Sequence, residues 1–177
     1  MSLSKGKIII LLIVIVGISL GFKLIFLDLS NPVLSDRFDF TIRAIAYSNG
    51  EFAQQPKQTP GWPLFISIFF TFLNSDNFID YSNVVKTLSV GIATFTIFPV
   101  YLLARRFFDQ KYSLVMASLF AFEPHLNRWS TLGFAEPLFM LVMVGSFYFI
   151  LSKNSLNSHF CVQMSHYMDY TTNQKTT

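Results

Sequence analysis

The sequence predicts an all-α, polytopic membrane protein with about four transmembrane helices plus extracytosolic juxtamembrane helices. Three observations carry that expectation. Hydrophobic residues make up 52% of the 177, charged residues only 13%, and Phe alone counts 21, a balance foreign to soluble domains. The apolar residues gather into runs, several of them near the length that crosses a bilayer. Basic residues sit at the ends of those runs, where they set orientation. The same pattern excludes other classes. No basic run with interleaved aromatics is present to bind nucleic acid, and the single Cys161 precludes an intrachain disulfide framework.

The first apolar segment, Ile8 to about Leu29, follows Lys5 and Lys7. A cleaved signal peptide shares that basic start, but no small-x-small cleavage site follows and the apolar run resumes after Lys23. Lys23, near the segment's end, is placed to snorkel to the headgroups. The segment therefore reads as an uncleaved signal anchor with a cytosolic N-terminus. Residues 30–83 then form an extracytosolic loop. Within it, 37–49 place Phe38, Ile42, Ile45 and Ala46 on one helical face, and Gly50 is suited to end that helix in a left-handed conformation.

Trp62–Leu73 is only about a dozen residues, too short to cross, and should lie on the outer face. Val84–Ala104 is long enough to cross inward, and Arg105, Arg106 and Lys111 mark its cytosolic end. The chain returns outward from Tyr112 to about Phe122 and breaks at Glu123-Pro124-His125. It crosses inward again from Phe134 to Leu151, closing on Lys153. Residues 1–151 thus form the membrane part. Residues 152–177 are polar, lack an apolar period, and read as a disordered tail.

This topology gathers Asp36, Asp39, His125, Arg128 and Glu136 at the outer face. Each acid has a bland reading. Asp36 suits a helix N-cap with Asp39 three residues on, as in a capping box. Glu136 beside Pro137 suits the first turn of the last helix, where an acid complements the helix dipole. The functional reading makes Asp36 a general base held at the membrane surface. The two are compatible, because a cap also fixes a carboxylate. His125 reads as an interfacial residue at a break. His159, Cys161, Met164 and His166 form a soft-ligand group in the tail whose spacing matches no common closed metal site.

The order Asp36, Ala44, Gly50 resembles the first extracytosolic loop of the polytopic GT-C glycosyltransferases, especially the protein-mannosyltransferase and aminoarabinose-transferase-like branch. Pro60-Gly61-Trp62-Pro63-Leu64 is similar to the start of that family's juxtamembrane helix. The run Tyr101-Leu102-Leu103-Ala104-Arg105-Arg106-Phe107-Phe108 resembles the cytosolic end of its second span. Glu123-Pro124 through Ala135-Glu136-Pro137-Leu138-Phe139 resembles its connection from third to fourth span. The four elements occur in the family's order between about residues 7 and 151.

The resemblance implies inverting transfer of a sugar from a polyprenyl-phosphate donor to a protein, lipid or glycan acceptor at the extracytosolic face of the cell membrane. It maps the catalytic Asp onto Asp36. Glu136 would help bind acceptor or metal, or orient the site. Asp39 would contribute on the substrate side, and Lys86 or Lys57 would stand by the donor phosphate and stabilise its developing charge. A divalent metal is an open possibility. Arg37, where the family often has a second acid, argues against coordination by the loop. Family members carry many more spans, so the 177-residue chain is expected to insert but to show no transfer by itself. The alternative is a small non-catalytic membrane protein that acts as an assembly or binding partner. A transporter fragment fits less well, since transporters place charges and broken helices near mid-membrane.

Overall fold

The computed structural model describes residues 5–52, 60–73 and 75–151. Among them all regular structure is helical. α1 (Lys5–Ile25) is followed by a non-helical segment, then α2 (Asp36–Ser48), α3 (Gly61–Phe70), α4 (Phe78–Phe95) and α5 (Ile97–Ala104). The chain ends its described part in α6 (Gln110–Ala121), α7 (Pro124–Leu132) and α8 (Glu136–Ile150). Only Thr96 separates α4 from α5, and together they make a 27-residue apolar run, Phe78–Ala104.

Among the described residues two helices are long and apolar enough to cross a membrane: Gly6–Ile25 and Phe78–Ala104. Membrane association rests on these two. Helix length alone establishes two spans and not four, because α6 has 12 residues and α8 has 15. At 1.5 Å per residue they reach about 18 and 23 Å, short of a hydrocarbon core of about 30 Å. The second apolar run, Trp62–Leu73, contributes a ten-residue helix, α3.

Long-range contacts sort the elements into two ends. At one end, Ser19 Oγ near the close of α1 donates to the Ala121 carbonyl that closes α6 (3.0 Å). Ser89 Oγ of α4 donates to the Phe134 carbonyl before α8 (3.0 Å), and the Val33 N–H donates to Ser82 Oγ (3.3 Å). At the other end, the Arg106 guanidinium at the close of α5 lies 5.1 Å from the centre of the Tyr148 ring, near the close of α8. α1 and α6 therefore run in one direction, and α4–α5 and α8 in the other.

Two apolar clusters hold this arrangement. Ile8 and Leu12 of α1 pack with Ile97 of α5 and with Leu114, Ala117 and Ala121 of α6. Ala44 of α2 packs with Trp62, Ile66 and Phe70 of α3 and with Val85 of α4. The helix α2 buries a stripe different from the one its apolar residues suggest. Thr41, Ala44 and Tyr47 are buried, whereas Phe38 and Ile42 are exposed. Ala44 is small enough to allow close helix approach at this contact, and Phe38 keeps one protein partner, its ring centre 5.0 Å from that of Phe78. The expected left-handed terminators are present: Gly50 has φ 82° after α2, and Gly133 has φ 81° after α7. A Cβ at Gly133 would stand 3.1 Å from Val85 Cγ1, so α7 meets α4 there without room for a side chain.

Candidate functional site at the loop end of the bundle

The segment between α1 and α2 is fixed by one buried ammonium. Lys86 is 4% exposed, and its Nζ donates to the Asp28 and Asn31 carbonyls at 2.5 Å each. Two of its three protons are thereby committed to main chain. The ammonium expected beside a donor phosphate is the anchor of the loop leading to Asp36. Asp28 organises the same loop by accepting from Asn31 Nδ2 (2.7 Å) and from the Ser30 N–H (2.8 Å). Those bonds, the Asn31 side chain first, together with the Lys86 charge, hold its carboxyl below the usual carboxylate range.

Asp36 opens α2 but does not cap it. Ser35 occupies the cap position with φ 59° and ψ −138°, and no side-chain cap bond is made there. The expected N-cap at Asp36 with Asp39 at its third helical position is thus displaced by one residue, and both acids fall in the first turn. Both are exposed, and neither makes a side-chain hydrogen bond among the described residues. Ser35 is the one non-glycine residue with positive φ among them. Such a conformation costs about 1–3 kcal/mol and persists only where surroundings enforce it.

Arg37 supplies the enforcement. Its Nε donates to the Leu34 carbonyl (3.0 Å), bracing the turn at Ser35. Its Nη1 donates to the Leu132 carbonyl (3.1 Å), and the guanidinium sits 4.6 Å from the Phe134 ring centre. Burial lowers the pKa of Arg37, and the Asp36 charge works against that lowering. The guanidinium stays charged regardless. The start of α2 is thereby tied to the α7–α8 turn, which leads into Glu136 two residues after Phe134. Pro137 stands at the start of α8 as its sequence suggested. Glu136 lies in the first turn, half-buried, with Oε2 enclosed and without a hydrogen-bond partner.

Lys57 lies outside the described residues, as do His159, Cys161, Met164, His166 and the whole of 152–177. His125 is exposed and tilted against Trp129, with ring centres 6.0 Å apart. Among the described residues no three His, Cys, Asp or Glu side chains gather as a metal site requires. The described residues therefore offer no three-ligand set for a protein-held divalent ion.

Sequence reasoning marked Lys23 only as a snorkelling residue. It does not snorkel: it is 3% exposed, and its Nζ donates to Ser19 Oγ at 2.5 Å. The signal was available in the four-residue spacing of Ser19 and Lys23, which places both on one helix face. A cavity of about 400 Å³ opens beside it, between the last turn of α1 and α7. No protein-family model, curated protein or solved structure matches the chain.

Proposed function

We propose that the chain forms the N-terminal, base-bearing part of a polytopic glycosyltransferase of the GT-C kind. It uses a polyprenyl-phosphate-linked sugar, and its site faces the extracytosolic side. Four crossings, α1, α4–α5, α6 with its flanking residues, and α8, give the topology, with the N-terminus cytosolic. The observation that carries the reading is the state of Asp36. The carboxylate is exposed, has no structural bond among the described residues, and follows a strained Ser35 that Arg37 braces. A carboxylate present only to cap the helix would have taken the Ser35 position and bonded the first-turn N–H groups.

In this reading Asp36 takes the proton from the acceptor's O–H or N–H as that atom bonds to the sugar's anomeric carbon. The bond from that carbon to the carrier phosphate breaks on the opposite face, and the phosphate leaves with the electron pair. The configuration inverts. Glu136, brought to the same end through Arg37 and the α7–α8 turn, orients the acceptor. Asp39 stands one turn along α2 on the substrate side. Lys86 acts by holding the loop in place.

The test is transfer of a radiolabelled sugar from defined polyprenyl-phosphate donors by membranes that contain the complete transferase. Label appearing in acceptor, dependent on the polyprenyl phosphate, is the expected result. A chain that instead co-purifies stoichiometrically with another membrane protein and supports no transfer in any such context would favour the binding-partner alternative.

A further inference from the structure

The pocket beside Lys23 meets the Arg37 brace at Leu132, which lines it and whose carbonyl accepts from Arg37 Nη1, but its chemistry is its own. Its walls are apolar, formed by Phe22 and Phe26 at the end of α1, Phe122 after α6 and Leu132 of α7. Its polar lining is Lys23, Asn127, Arg128 and Thr131. The first three bring N–H donors, the Thr131 hydroxyl is committed to the Arg128 carbonyl (3.0 Å), and no carboxylate lines the space. The nearest acid in sequence, Glu123, is turned to its own helix and accepts from the Leu126 N–H at 2.6 Å.

Two of the three donors are buried and under-satisfied. Lys23 is 3% exposed, yet its ammonium has only the neutral Ser19 hydroxyl as acceptor among the described residues. Asn127 is 6% exposed, and its Nδ2 is enclosed without any partner. A buried cation facing only a neutral group, next to an orphaned amide, loses hydration that nothing in the protein returns. An ionisable side chain within a membrane-crossing helix is retained where a partner of opposite charge completes it.

We propose that this pocket is a binding site for an anionic glycerophospholipid of the bilayer. The phosphodiester is held by Lys23, Asn127 and Arg128, and the upper acyl methylenes lie against Phe22, Phe26, Phe122 and Leu132. Charge complementarity names the phosphate, and the aromatic walls name a lipid over a free anion. The position at the end of a crossing helix puts the pocket where headgroups stand. Bulk lipid at that depth fills even a modest site by mass action, ahead of a scarce carrier. This proposal goes beyond the transferase reading and does not rest on it.

The test is native mass spectrometry of the full chain released from micelles holding equal dioleoyl-phosphatidylglycerol and dioleoyl-phosphatidylcholine, which differ in charge but share acyl chains. Phosphatidylglycerol should be retained in preference. Arg128→Gln, at an exposed position, should lower that retention about tenfold or more, the loss of one charge-assisted hydrogen bond. Asn127→Leu should do the same, with helicity checked by circular dichroism. Arg105→Gln, at the opposite end, should leave retention unchanged, and roughly 10-fold excess inorganic phosphate should not displace the lipid. Equal retention of the two lipids, an unaffected Arg128→Gln, or displacement by inorganic phosphate would overturn the proposal. So would retention of a polyprenyl phosphate where phosphatidylglycerol is not retained, which would move the pocket to the sugar donor.

Discussion

Asp36→Asn is expected to lower sugar transfer by about 10²–10⁴-fold in membranes containing the complete transferase, the usual loss on removing a general base. Donor binding should change little. The substitution keeps size and polarity, and the loop conformation is held by Lys86 and Arg37. Asp39→Asn should lose far less, because Asp39 does not follow the braced turn. The readout is turnover at saturating donor together with the donor's apparent affinity. Turnover equal to wild type for Asp36→Asn would remove the catalytic role, and a loss confined to donor affinity would make Asp36 a binding residue.

Lys86→Met should destabilise the fold on the order of 2 kcal/mol, the worth of charge-assisted bonds to two carbonyls offset by relief of a buried charge. For a chain of this length that shifts the thermal midpoint by about 4–8 °C. The loss should be local first. Amides of residues 28–35 should exchange faster, because their segment hangs on Lys86 through Asp28 and Asn31. Transfer should fall through misplacement of Asp36, at unchanged donor affinity. Wild-type stability with weakened donor binding would return the ammonium to the phosphate.

Local features of this fold were legible and non-local ones were not. The left-handed Gly50, the short α3 and Pro137 at the start of α8 follow from spacing and residue type alone. The buried face of α2 did not follow. Hydrophobic periodicity marks Phe38 and Ile42, but the contact with α3 and α4 is set from outside the helix, and it is Thr41, Ala44 and Tyr47 that are buried. The same limit applies to the site. A lysine at position 86 is readable as a cation near a loop, but its acceptors are carbonyls 55 and 58 residues away. Arg37 read as a departure from a motif, whereas its reach to Leu132, 95 residues on, joins the two acid-bearing segments. Lys23 read as an exposed, snorkelling side chain because nothing local shows that the ends of α6 and α7 close over it.

The central claim is that the segments bearing Asp36 and Glu136 share the extracytosolic face, and side-specific thiol labelling tests it most directly. In a Cys161→Ser background, single cysteines at Glu51, Asp76, Asp109 and His125 occupy exposed positions between the helices in question. An impermeant maleimide added to intact cells should label the cysteines at positions 51, 76 and 125. It should reach position 109, beyond Arg105 and Arg106, only after permeabilisation. Labelling of positions 51 and 125 from opposite sides, of 51 and 76 from opposite sides, or of 109 from outside, would contradict the account.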